Sequence, residues 1–106
     1  MKIGIIVAMQ SEFDLIKNIL QKSILKKNNH LIFVEGVIND KQIVLMKSGI
    51  GKVNAACACV EMINNFHPQI IINTGLAGGI DQSLSVMDIV LASQTCYHDV
   101  WCGEGC

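Results

Sequence analysis

Residues 70–81 read "IIINTGLAGGID". The three isoleucines are β-branched and apolar, the composition of a strand buried in a sheet. The glycine turn that follows lets backbone come close to a ligand and adopt positive φ. The same sequence of events occurs upstream. "QIVLMK" at 42–47 runs into "SGIGK" at 48–52, and "KIGIIVA" at 2–8 runs into "MQSE" at 9–12. Strands that end in such loops, separated by helices, point to an α/β layered fold with a largely parallel sheet. In that class, ligands bind beyond the carboxyl ends of the strands.

The segments between these strands complete the expectation. Ser11 can cap a helix in which Phe13, Ile16, Ile19 and Leu20 recur at helical spacing, with Lys17, Asn18 and Gln21 opposite. That helix fades in the polar loop "KKNNH" at 26–30. Residues 31–38 and 42–47 form a hairpin, turned at Asn39-Asp40. Gly51 opens a second helix with an apolar stripe of Val53, Ala56, Val60 and Ile63. His67-Pro68 ends it, because a residue before proline is pushed out of the α region. Residues 69–74 and 88–93 supply two further strands, so the expected order is β-α-β-β-α-β-β. Neither repeats nor low-complexity segments occur.

Composition narrows the class. The chain has 106 residues, enough for one domain. It is 51% hydrophobic and 16% charged, with a net charge of −1. That balance gives no long-range attraction to nucleic acid or to an anionic membrane. No segment reaches the roughly 18 consecutive apolar residues of a membrane span. The opening "MKIGIIVAM" is interrupted too soon by Glu12 and Asp14 for a secretory signal. Five cysteines, an odd number, then suggest reduced thiols and a cytoplasmic protein. Cys96, His98, Cys102 and Cys106 are spaced as C-x-H-x₃-C-x₃-C, which matches no common zinc module, so no metal is expected. Cys57 and Cys59 read as packing residues. His30 and His67 fall in loops.

Glu12 is the sharpest chemical candidate. It stands in the first turn of the first helix, at the ligand end of the first strand, where the helix dipole favours an anion. A carboxylate there can orient or deprotonate a water. Every basic residue in the chain is lysine. Arginine, the usual bidentate clamp on phosphate, is missing from the sequence.

"KIGIIVAMQSEFDLIK", "SGIGKVNAA", "INTGLAGGID" with "VMDIVLAS", and "YHDV" together resemble the 5′-methylthioadenosine/S-adenosylhomocysteine nucleosidase family, within the purine nucleoside phosphorylase superfamily. The resemblance runs along essentially the whole chain. It implies a three-layer αβα fold with a mixed, largely parallel sheet. It also implies a homodimer, no metal or organic cofactor, and hydrolysis of the N-glycosidic bond of 5′-methylthioadenosine and S-adenosylhomocysteine in methionine salvage. By resemblance, Glu12 holds and activates the attacking water. Ala8 and Met9 line the ribose and water side, Ile50 packs against the 5′-thio group, and Ala77 and Gly78 bring backbone close to the nucleoside. Leu76 belongs to the same set. It stands where family members often carry a small hydroxyl residue, and leucine cannot hydrogen-bond to a water.

Family chains are roughly twice this length. The resemblance places the acid that protonates the purine, a glutamate for the ribose hydroxyls and the aromatic residue that stacks on adenine beyond residue 106. Residues 1–106 therefore read as the amino-terminal part of a nucleoside phosphorylase/hydrolase-like domain, inactive alone, with Cys102 near a dimer interface. The other readings are a non-catalytic nucleoside-binding or dimerising half-domain and a nucleoside phosphorylase. The last would place an anionic phosphate beside Glu12, which would repel it.

Overall fold

The computed structural model describes residues 1–101, 103 and 104. Two units emerge, Met1–Leu76 and Ala77–Cys106. Among the described residues, the first contains all the regular structure: β1 (Lys2–Val7), α1 (Gln10–Ile19), β2 (Gln21–Asn28), β3 (Leu31–Ile38), β4 (Lys41–Lys47), α2 (Lys52–Phe66) and β5 (Ile70–Asn73).

The strands form one sheet in the order β2-β3-β4-β1-β5. β1 is parallel to β4 and to β5, while β2-β3 and β3-β4 pair antiparallel. The sheet is thus mixed, with its parallel part around β1. Successive strand residues point to opposite faces, and the core divides accordingly. On one face Ile6, Phe33, Val44 and Met46 pack with Ala58 and Met62 of α2. On the other, Val7, Val34, Ile43 and Leu45 pack with Phe13 and the helix-terminating Leu20. One helix on each side of the sheet makes the αβα layering. Full burial of each of these side chains larger than alanine is worth about 1.5–3 kcal/mol, so both helices are held mainly by these contacts.

The β3-β4 hairpin has the expected turn. Ile38 pairs with Lys41, leaving Asn39 and Asp40 as a two-residue loop at φ 48° and 63°. Two positive φ values in succession define the type I′ turn, which asparagine and aspartate tolerate better than other side chains.

Four expectations change. The segment expected to trail off from the first helix into a loop is β2. Leu20 turns extended, at ψ 128°, and the chain enters the sheet edge at once. Every residue of β2 is exposed, and it carries Lys22, Lys26 and Lys27. An edge strand needs no apolar periodicity, and its lysines discourage pairing with other chains. Lys26 forms an ion pair with Glu35 at 2.6 Å. Asn28 Nδ2 donates to Asn65 Oδ1 at 2.7 Å, which ties the end of β2 to α2.

The second change concerns the start of α1. Its N-cap is Met9, not Ser11, because Glu12 reaches back to satisfy the backbone there. The third concerns the buried face of α2, formed by Ala58 and Met62 with Cys59 and Phe66 against them. The expected stripe of Val53, Ala56, Val60 and Ile63 is exposed. α2 is apolar nearly all round, so its periodicity does not choose a face.

The fourth concerns residues 88–93, which form no strand. Ile89, Val90 and Leu91 are exposed and no ladder engages them. Among its described residues the second unit consists of turns and extended backbone. One turn is closed by Asp81, whose carboxylate accepts the Ser83 N–H at 2.8 Å and hydroxyl at 2.6 Å. These bonds hold its carboxyl below the ordinary aspartate range. Cys102 and Cys106, named above for a dimer interface and for a zinc site, lie outside the described residues.

Gly36 sits where β2 bulges between Gln21 and Ile24. A Cβ on Gly36 would stand 2.9 Å from Leu20 Cβ and 3.1 Å from the Gln21 carbonyl oxygen. Neither atom is the free end of a flexible side chain. Gly36→Ala is therefore expected to destabilise the fold by about 1–3 kcal/mol, read as a lower midpoint in thermal unfolding.

Candidate functional site

Because β4, β1 and β5 are parallel, the loops that leave them open at one end of the sheet. Backbone bonds fix where those loops start. Ser48 N–H donates to the Val7 carbonyl at 2.8 Å, and Thr74 N–H donates to the Ile6 carbonyl at 3.2 Å.

Glu12 stands at this end, half-buried, in the first turn of α1. Its Oε2 accepts the N–H groups of Ala8 and Met9, each at 3.1 Å. Both bonds fall on one oxygen, and Oε1 is left clear of them. The carboxylate is aligned by two backbone dipoles and by the positive end of the helix. The start of α1 is tied to β4 as well. Lys47 Nζ donates to Gln10 Oε1 at 2.7 Å, and Gln10 Nε2 donates to Asp14 Oδ1 at 2.8 Å.

A cleft of about 220 Å³ opens beside Glu12, lined also by Leu15, Ile16, Thr74, Gly75 and Leu76. The larger hollow, about 260 Å³, includes Lys2, Glu35 and Gln42, and lies toward the opposite end of β1. Its acid, Glu35, is neutralised by Lys26. The smaller cleft thus has the chemistry, a mostly apolar wall with one aligned carboxylate.

The structure brings Ala8, Met9, Glu12 and Leu76 together. Ile50 occupies the loop after β4, at the same sheet end, and is 74% exposed between Gly49 (φ 87°) and Gly51 (φ 101°). Ala77 and Gly78 belong to the second unit. Sequence reasoning missed Asn54, whose Nδ2 donates to the Ile50 carbonyl at 2.7 Å and so pins the loop. The signal was its position, four residues after Ile50 at the start of α2. Among the described residues no three of His, Cys, Asp and Glu cluster as metal ligands, and no helix is long and apolar enough to cross a membrane.

The family profile described as Phosphorylase superfamily matches residues 2–105. The chain belongs to the phosphorylase superfamily. Among curated superfamily members it is 44% identical, over 97 residues, to the 5′-methylthioadenosine/S-adenosylhomocysteine nucleosidase of Staphylococcus saprophyticus, covering 92% of this chain and 42% of that one. The crystal structure of the nucleosidase from Colwellia psychrerythraea in complex with adenine superposes with a TM-score of 0.92 at 41% identity, covering 96% of this chain and 42% of that one. The Streptococcus pneumoniae nucleosidase with a transition-state inhibitor gives 0.78 at 34% identity, over 81% and 37% of the two chains. The chain thus spans less than half the length of the relatives it matches.

Glu12→Ala would leave the Ala8 and Met9 N–H groups without their carboxylate. The expected cost is about 1–2 kcal/mol, seen as a lower urea midpoint with an unchanged slope.

Proposed function

We propose that this chain forms the water-activating part of an N-glycosyl hydrolase that cleaves 5′-methylthioadenosine and S-adenosylhomocysteine and releases adenine. The observation that carries the reading is Glu12: a carboxylate with one oxygen held by two backbone N–H groups and the other clear, beside a cleft at the ligand end of the sheet. The nucleosidase relatives, one with adenine and one with a transition-state inhibitor, support it.

The chemistry follows from that carboxylate. As the bond between C1′ of the ribose and N9 of adenine lengthens, positive charge develops on the sugar. Glu12 orients a water, takes its proton as its oxygen bonds to C1′, and stabilises the charge. Adenine leaves with its electron pair and is protonated by an acid that, by family resemblance, lies beyond residue 106. Ala8 and Met9 line the water and ribose side. Ile50, held by Asn54, packs against the 5′-thio substituent, and Leu76 closes the cleft without donating to the water. Ala77 and Gly78 contribute backbone to the nucleoside. No metal or organic cofactor takes part. In this reading the enzyme is cytoplasmic and homodimeric, in methionine salvage. Phosphorolysis is disfavoured, because the attacking phosphate would meet an anion in a chain without arginine.

The test uses a protein that joins this segment to the remaining length of its relatives. Glu12→Gln keeps an oxygen for the two N–H groups but cannot take a proton. Turnover should fall by roughly 10²-fold or more with KM little changed. Near-normal turnover would reject the role.

The nucleophile is tested separately. Adding inorganic phosphate should not accelerate adenine release from 5′-methylthioadenosine, and the sugar product should be free 5-methylthioribose. A sugar 1-phosphate in the product mixture, detected by phosphorus NMR, would assign the protein to phosphorolysis instead.

A further inference from the structure

We infer that Gly75 is a positioning residue for Glu12, present as glycine because a Cβ there would crowd the carboxylate and require it to give by a few tenths of an ångström. Among the described residues the positive-φ glycines are Gly49, Gly51 and Gly103, and Gly75 is not one of them. Its backbone is open to ordinary residues, so conformational freedom does not explain it. Space does. A Cβ built on Gly75 would lie 3.1 Å from Glu12 Oε1, 3.6 Å from its Cδ and 3.7 Å from Oε2. All three nearest atoms belong to that one carboxylate.

The carboxylate has no easy retreat. Oε2 is held by the N–H groups of Ala8 and Met9. Moving Oε1 away from a new methyl group turns the whole planar group and pulls Oε2 off those donors. The parallel pairing of β1 with β5 sets the approach, since Ile6 is in register with Asn73 and Gly75 follows two residues later. The bulk of the segment begins one position on, with Leu76, whose side chain is 88% exposed. Gly75 therefore leaves the free oxygen of Glu12 facing the cleft with its orientation intact. The catalytic value of that orientation rests on the hydrolytic reading above, whereas the packing relation does not.

The test needs no substrate, so its failure is separable from failure of the hydrolytic reading. The amide proton resonances of Ala8 and Met9 report the hydrogen bonds to Glu12. They are compared by NMR in the chain itself, in Glu12→Ala and in Gly75→Ala. Gly75→Ala should move both resonances by at least about half of the displacement that Glu12→Ala causes, while those of Asn39 and Asp40, in the turn at the other end of the sheet, stay in place. A role in packing alone would lower stability without that selective displacement. A folded Gly75→Ala protein with Ala8 and Met9 at their original positions overturns the inference. If Gly75→Ala does not fold, the same substitution is made in the Glu12→Ala background. Recovery of the fold there supports the collision with Glu12, and continued failure to fold overturns it.

Discussion

The parallel pairing of β1 with β4 on one edge and β5 on the other is the constraint on which the rest of the structure depends. A strand paired on both edges has only its two faces left to bury, and here Ile6 and Val7 point to opposite ones. Each face requires a helix, and the chain supplies one to each. Parallel pairing also forces each connection to cross over the sheet and return to the same end. Three loops of otherwise unrelated sequence are thereby brought to one end of the sheet, and α1 begins among them with Glu12 in its first turn.

The placement of Glu12 follows from a conflict at that helix start. The opening turn of a helix leaves backbone N–H groups unsatisfied, and Met9 at the N-cap offers no hydroxyl or carboxylate to accept them. Glu12 reaches back instead, so the residue proposed to handle the water also completes the helix. The structural role and the proposed chemical role share one carboxylate by dividing its oxygens. Oε2 is held by the backbone, and Oε1 is clear of those bonds. The arrangement leaves little tolerance around it, and the bare Cα at Gly75 matches that demand.

Much of this was legible in the sequence, for physical reasons that differ by element. β1, β3 and β4 announced themselves because strands buried on one or both faces must be apolar, and the Asn39-Asp40 turn because its positive φ values favour those residues. β5 was legible from its β-branched isoleucines, but the burial expected of it is not found: it is an edge strand with Ile70 and Ile72 exposed and only Ile71 partly buried. β2 was not legible. An exposed edge strand is stabilised by its neighbour's backbone and by pairs such as Lys26 with Glu35, which leave no periodic trace. The face of α2 was misread because small residues lie on both sides of it, and the choice of Ala58 and Met62 is made by the shape of the sheet. Residues 88–93 looked like a strand because composition reports suitability for pairing, not whether a partner strand stands alongside. Of the site, Glu12, Ala8, Met9 and Leu76 could be named in advance and are found together. Gly75 and Asn54 act through distances that only the folded chain creates.

The two borders of the sheet differ in kind. β2 presents three lysines along its length, whereas β5 is Ile-Ile-Ile-Asn with no charge. A strand approaching β2 must desolvate ammonium groups, whereas β5 offers isoleucines and no charge. Charge therefore guards the antiparallel border of the sheet and is missing from the parallel one. The uncharged border runs directly into the segment that carries Gly75.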